Sequence, residues 1–275
     1  MLARPIPSTG EKLPAIGLGT WPMFDVGTDA ASRRPLADVV ARLVEAGGAM
    51  VDTSPMYGRS EGVVGDLVAQ LGLRDKVFLA TKVWISGRDQ GAAQMTRSAS
   101  LLKSPVVDLM QVHNLVDWRA QLATMRDMKA KGTLRYIGIT HYTEHALSEL
   151  ARILEREDGI DFVQCGYSLA ERQAETRLLP VAADRGVAVI ANMPLGKSRL
   201  FDRTRGLALP DWAAEFDCAG WAQLFLKYLL GHPALTVVIP ATSNPAHMAD
   251  NLKAGLGRLP DDRQREQIRR WWDSR

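Results

Sequence analysis

Residues 106–140 read VVDLMQVHNLVDWRAQLATMRDMKAKGTLRYIGIT, and this stretch decides the fold. It opens on a short run of β-branched and long apolar residues, VVDLMQVHN (106–114), and closes on a second, RYIGIT (135–140). Between them, over 117–131, Leu122, Met125 and Met128 recur at helical spacing. Asp117 stands where an N-cap belongs, and Gly132 stands where a helix stops. Strand, helix, strand is a βαβ unit, which joins two parallel strands. The strand runs are continuously apolar rather than alternating, as burial on both faces of a parallel sheet requires.

The same alternation extends outward in both directions. Strand-like runs occur at AIGLGTW (15–21), AMVDTS (49–54), KVFLATKVW (76–84), DFVQC (161–165), VAVIANM (187–193) and LTVVIPAT (235–242), making eight with the first two. Helical patterns cover 36–46, 60–70, 143–156, 172–185 and 217–230, with Ser60 and Thr143 as N-cap residues and Gly47 as a C-terminal stop. Strand starts from 49 to 187 lie about 25–30 residues apart, one βα unit each. Eight such units in about 250 residues predict a single closed (β/α)8 barrel over 1–275, since a doubly wound sheet normally has fewer strands. Residues 4–13, turning at Ser8-Thr9-Gly10, predict a short N-terminal hairpin. An extra loop at 194–212, holding Gly196, Gly206 and Pro210, follows the seventh strand, where barrels carry ligand-binding segments. Ile268, Trp271 and Trp272 predict a last helix docked on the barrel.

Composition narrows the function classes. The 275 residues are 46% hydrophobic, enough for a core and too apolar for disorder. A net charge of +3 is a weak field, which argues against a nucleic-acid partner. Two cysteines, Cys165 and Cys218, exclude a disulfide framework and a four-cysteine metal site. The N-terminus lacks the apolar core of a signal peptide, and no apolar run reaches about 18 residues. The expectation is a cytoplasmic protein with no membrane partner, monomeric by default.

In a barrel, chemistry gathers where strands end. The second strand ends in Asp52-Thr53-Ser54-Pro55-Met56-Tyr57-Gly58, the third in Thr81-Lys82 and the fourth in Gln111-Val112-His113-Asn114. The fifth ends in Thr140-His141, the sixth in Gln164 and the seventh in Asn192. Singly, Asp52 reads as a turn residue, Lys82 as a snorkelling cation, His113 as a structural histidine and Tyr57 as turn packing. Together at one mouth they make a proton-transfer set. Tyrosine titrates near 10, a nearby ammonium favours the phenolate, a carboxylate holds that ammonium, and a neutral histidine orients a carbonyl oxygen. Such a tyrosine suits protonation of a developing alkoxide. No Ser-His-Asp or Cys-His set competes.

These residues sit in motifs that resemble the aldo-keto reductases over nearly the whole chain. The matching pieces are GLGTW (17–21), VDTSPMYG (51–58), ATKVW (80–84), DLMQVHN (108–114), KGTLRYIGIT (131–140), FVQCGYSL (162–169), NMPLG (192–196) and IPATSNPAHMADN (239–251). The resemblance implies reduction of a small-molecule aldehyde or ketone by NADPH on a (β/α)8 barrel. It implies Tyr57 as proton donor, Lys82 and Asp52 as its tuning pair and His113 as the orienting group. It implies cofactor contacts from Gly19, Thr20, Trp21, Thr140, His141 and Gln164, the last on the nicotinamide carboxamide. Asn192, Pro194, Leu195, Gly196 and Leu200 would lie along the nicotinamide and pyrophosphate, and Ile239, Ala241, Thr242, His247, Asp250 and Asn251 around the adenosine end. Trp21, Tyr57, Trp84, His113 and Trp118 would line an open substrate pocket, because the loops are short.

The chain departs from that pattern in three places. His141 stands where the family often has Asn, Asn192 where it often stacks a Tyr, and Ala241 and His247 where many members hold the 2′-phosphate with Lys and Arg. Losing two cations weakens selectivity for NADPH over NADH and leaves NAD use open. Three rivals have their own features. Ala191 to Ser198 fits a relaxed phosphate-loop pattern, but Pro194 removes an N–H from the cradle. His113, His141 and Asp52 are candidate ligands for a metal-dependent hydrolase, without any His-x-His or His-Glu-x-x-His spacing. A cofactor-binding regulatory barrel is the non-enzymatic reading, and the complete tetrad argues against it.

Overall fold

The computed structural model describes residues 1–275. A two-stranded antiparallel hairpin, β1 (Ala3–Pro5) and β2 (Lys12–Pro14), precedes the barrel. The eight parallel strands are β3 (Leu18–Gly19), β4 (Met50–Asp52), β5 (Phe78–Val83), β6 (Val107–His113), β7 (Leu134–His141), β8 (Phe162–Gly166), β9 (Ala188–Asn192) and β10 (Leu235–Val238). They pair in sequence order, and parallel bridges from Ile16 to Val238 and from Gly19 to Ala241 close the ring. The predicted barrel and hairpin are both present.

Two apolar layers hold it together. Inside the barrel, Met50, Phe78, Leu109, Tyr136, Phe162, Ile190 and Val237 form one cluster, which Ile6 and Leu13 of the hairpin plug from the N-terminal end. Outside, the strands' other faces pack on the helices, and each fully buried Leu, Ile or Phe there contributes about 1.5–3 kcal/mol. One helix follows each strand: α1 (Ala30–Glu45), α2 (Ser60–Gln70), α3 (Arg88–Leu101), α4 (Trp118–Ala130), α5 (Leu147–Arg156) and α6 (Leu178–Asp184). The loop after β9 carries a short α7 (Arg199–Thr204) before α8 (Trp221–Leu230); α9 (Pro245–Lys253) and α10 (Asp262–Asp273) finish the chain. As predicted, α10 buries Ile268 and Trp272, and Trp221 stacks on Trp271 with centroids 5.2 Å apart.

Local details depart from the sequence reading. Helix α3 has no apolar stripe, because its buried positions are Gly91, Met95 and Ser98. It packs close to α4, so that a Cβ at Gly91 would run into the Gln121 side chain. Three proposed caps serve elsewhere. Ser60 lies inside α2 and its hydroxyl accepts from Thr53, Asp117 takes the Gly87 N–H instead of capping α4, and Thr143 bonds His141. The 143–156 and 172–185 patterns each begin with a 3-10 turn, Glu144–Ala146 and Gln173–Glu175, before the α-helix proper.

Candidate active site

The mouth is built in register. Parallel pairing sets Lys82 beside Gln111, His113 beside Thr140 and Thr140 beside Gln164, so polar groups on four adjacent strands share one rim. Lys82 Nζ lies 2.6 Å from Asp52 Oδ2 and donates also to the Thr53 carbonyl at 2.7 Å. Both side chains are buried, at 1% and 3% exposure. Desolvating two charges costs several kcal/mol, so a buried pair is a poor device for stability alone. The remaining carboxylate oxygen, Asp52 Oδ1, accepts from Gln164 Nε2 at 3.0 Å and Gln111 Nε2 at 3.2 Å.

Tyr57 sits on the turn after β4, its N–H bonded to the Ser54 carbonyl at 3.0 Å. Gly58 makes that turn: its φ is +61°, and a Cβ there would strike the Asp25 carboxyl group. The Tyr57 ring meets His113 edge-on at 5.9 Å, and Lys82 Nζ lies 5.1 Å from its centroid. Burial pushes the Tyr57 pKa up, Lys82 pulls it down and Asp52 pushes it up again, leaving it above its ordinary value. This reverses the direction that the Lys82 pairing suggests, because burial outweighs an ammonium already committed to Asp52. Burial pulls Lys82 down, yet Asp52 and Tyr57 together hold it above its ordinary value, so it stays an ammonium. The His113 pKa is pushed down to about 3, first by burial and then by Lys82 and His141. Ser54 Oγ lies 3.0 Å from His113 Nδ1 and accepts the Met56 N–H at 3.2 Å. With its pKa this low, the imidazole is neutral at physiological pH.

The tetrad expected from sequence, Asp52, Tyr57, Lys82 and His113, therefore converges. Three supporting residues were not singled out: Gln111 under Asp52, Ser54 behind His113, and Gln223, which donates to Asp250 Oδ1 at 2.5 Å. Each acts on a residue far away in the chain, at 27 to 59 positions' separation, which leaves no local signal.

The other expected positions divide. Thr20 donates to the Asp52 carbonyl at 2.9 Å, and Gly19 bridges Ala241 next to buried Ile239. Thr140 Oγ1 donates to Gln164 Oε1 at 3.1 Å, and Asn192 Nδ2 reaches the same oxygen at 3.4 Å. His141 Nδ1 accepts the Thr143 N–H at 3.2 Å, which places its proton on Nε2. Pro194, Gly196 and Leu200 are buried in the extra loop, Leu195 half-buried. Met193, Gly196, Lys197 and Ser198 there all have left-handed backbones. Thr242 and Asn251 are buried, whereas Ala241 and His247 are exposed. Trp21 and Trp84 stand at the mouth, 48% and 43% exposed. Trp118 instead begins α4, half-buried against the outer core with Arg119 4.2 Å over its ring. The phosphate-loop lysine, Lys197, lies over the rings of Trp21 and Tyr142, at 5.2 and 5.7 Å. No three His, Cys, Asp or Glu side chains cluster as metal ligands would, and no helix is long and apolar enough to cross a membrane.

Comparison with known proteins gives the relatives of this chain. A family model described as "Aldo/keto reductase family" matches residues 15–271. The chain is 30% identical over 246 residues to methylglyoxal reductase YeaE of Escherichia coli, covering 87% of this chain and 84% of that one. It is 27% identical to methylglyoxal reductase DkgB of Yersinia pestis, over 85% and 86%. An aldo-keto reductase from Klebsiella pneumoniae in complex with NADPH superposes with a TM-score of 0.81 at 27% identity, over 99% and 96%.

Proposed function

The chain belongs to the aldo/keto reductase family, and on that premise we propose that it reduces an aldehyde or ketone to the alcohol, with NADPH as reductant and Tyr57 as proton donor. The observation that carries this reading is the convergence of the Tyr57 hydroxyl-bearing ring, the buried Lys82–Asp52 pair and a neutral His113 at one barrel mouth. The residues fit a nicotinamide dinucleotide: Asn192 Oδ1 is a buried acceptor without a donor at the rim, so the protein leaves a bond for something else to make.

NADPH, when bound, supplies the hydride. The chain supplies the rest. In this reading the neutral His113 carries its proton on Nε2, and it and the Tyr57 hydroxyl together donate to a carbonyl oxygen, orienting and polarising it. As charge grows on that oxygen, Tyr57 gives up its proton. The Lys82 ammonium then stabilises the phenolate, and Asp52, tied to Gln111 and Gln164, keeps the ammonium in place. The raised Tyr57 pKa suits the direction of reduction, because the proton is present at neutral pH and leaves only when a stronger base forms beside it. The exposed Trp21 and Trp84 give the substrate an open apolar entrance.

Support for NADPH comes from the Klebsiella complex. Exposed Ala241 and His247 offer no fixed cation to a 2′-phosphate, which supports use of NADH as well. The test is Tyr57→Phe, with turnover followed by NADPH absorbance and cofactor affinity by fluorescence titration. Turnover should fall by about 10²–10⁴-fold, the range of a positioned general acid, with the NADPH dissociation constant unchanged. Retention of most activity overturns the assignment of Tyr57. The same titration should give a preference for NADPH over NADH below about 100-fold.

A further inference from the structure

Hydrogen bonding at the mouth fixes which way each side-chain amide points. Asp52 is paired with Lys82 through Oδ2, and its Oδ1 accepts from Gln164 at 3.0 Å. A carboxylate only accepts, so the Gln164 NH2 must face Asp52 and Gln164 Oε1 must face away. That oxygen accepts from the Thr140 hydroxyl at 3.1 Å and, more weakly, from Asn192 Nδ2 at 3.4 Å. Asn192 is thereby fixed in turn. Its NH2 faces Gln164, and a flipped amide would set two oxygens against each other. Asn192 Oδ1 is left pointing elsewhere, buried and with no donor.

We propose that Asn192 is the specificity-determining residue for the carboxamide of the nicotinamide, its Oδ1 accepting the carboxamide N–H. The inference rests on the oxidoreductase reading above. Asn192 Oδ1 adds an acceptor beside Gln164, whose own amide is paired with Thr140 and Asp52 in this structure. The division of the rim agrees with it. Tyr57, Lys82 and His113 lie on the β4–β6 side, and Thr140, Gln164 and Asn192 on β7–β9. The carbon that carries the hydride is the ring neighbour of the carbon that carries the carboxamide. A ring presenting the first to a carbonyl held by Tyr57 and His113 has its amide beside the reaction centre, within the ring of strand ends where the amide relay terminates. The ion pair that serves Tyr57 thus also orients, through two amides, the group that recognises the cofactor.

The test compares two ligands that differ only in the donor. NADP⁺ carries a carboxamide, whereas its 3-acetylpyridine analogue keeps the carbonyl and replaces NH2 by CH3. Dissociation constants are read by fluorescence titration, without turnover. The wild-type protein should bind the analogue about tenfold more weakly, equivalent to ~1.4 kcal/mol, because Asn192 Oδ1 would remain buried and unpaired. Asn192→Ala should bind both alike. Equal binding by the wild type overturns the proposal, even where the variant does not fold. A tenfold ratio that survives in Asn192→Ala also overturns it and moves the contact to another residue. Failure of the wild type to bind NADP⁺, NADPH or NADH at all removes the oxidoreductase reading and this inference together; normal NADPH binding with no discrimination removes only the inference.

Discussion

The two ends of the barrel hold similar buried charges and treat them differently. At the N-terminal end, Asp108 accepts from Arg135 at 2.7 Å and from the Leu79 N–H at 2.8 Å, and forms an ion pair with Arg74 at 3.0 Å. Glu11 accepts from Arg135 and from the Tyr136 hydroxyl at 2.6 Å, and Thr9 completes the set at 2.8 Å from Tyr136. Every member is partnered within the protein. At the mouth, Gln111 Oε1, Asn114 Oδ1 and Asn192 Oδ1 are buried with no partner. Strained backbone is concentrated at the mouth, although Lys103, at the other end, is left-handed too. Asn114, Leu115, Asp117, Met193, Lys197 and Ser198, all beyond the C-terminal ends of β6 and β9, have left-handed backbones, and each such non-glycine costs on the order of 1–3 kcal/mol. A cavity of about 440 Å³ lies at the satisfied end, lined by Glu11, Arg74, Asp108 and Arg135 among others. Open space alone is therefore a poor guide to the site. The unmet hydrogen bonds at the rim are what separates the two ends.

Removing one charge at the mouth should give the largest effect. Lys82→Met leaves Asp52 buried with two neutral amide donors and no counter-charge. The expected loss is about 3–5 kcal/mol, read as a shift in the denaturant midpoint, together with loss of turnover. Lys82→Met combined with Asp52→Asn removes both charges and should recover most of the stability and none of the turnover. If the double variant stays as unstable as the single one, the pair is structural, and the contrast between the two ends disappears.

Protonation probes the same end more gently. The His113 pKa is pushed down to about 3 in the folded protein from an ordinary 6.5. The unfolded chain therefore takes up this proton first as the pH falls. Stability from this group is complete above about pH 6.5 and is lost progressively down to about 3. One proton corresponds to a slope of about 1.4 kcal/mol per pH unit in that window. His113→Gln should flatten the acid limb of a stability–pH curve by about that slope, measured by urea denaturation at stepped pH. Part of the limb should persist, because burial also lowers His141 and His232. An unchanged slope would mean that His113 is as solvated as it is in the unfolded chain.

The sequence exposes one end of this contrast better than the other. The strands are legible because each is an unbroken apolar run, and Asp52, Tyr57, Lys82 and His113 are legible because barrel topology brings strand ends together wherever they lie in the chain. Helix α3 is not legible, since Gly91 and Ser98 bury by being small and leave no hydrophobic periodicity. The direction of the Tyr57 shift is not legible either. It depends on how deeply the ring is buried and on how far Asp52 has already claimed Lys82. Partner choice is the least legible of all: Ser60, Asp117 and Thr143 have the right chemistry to cap helices, yet other partners, local for Thr143 and distant for Asp117, take their side chains.

The smallest effect should come from the satisfied end. Arg135→Gln removes the pairs from Arg135 to Asp108 and Glu11, but neither carboxylate is then left alone. Asp108 keeps Arg74 and the Leu79 N–H, and Glu11 keeps the Tyr136 hydroxyl. Arg135 is itself 41% exposed, so water screens much of what it contributes. The change should cost within about 1 kcal/mol by denaturant midpoint and leave kcat/KM and NADPH affinity as in the wild type. Here a null result is informative, because the same chemical operation, deletion of one cation from a buried carboxylate, is being carried out at both ends. A loss as large as that of Lys82→Met would show that the N-terminal network has no redundancy, and that unmet hydrogen bonds are not what separates the working end of this barrel from its scaffold.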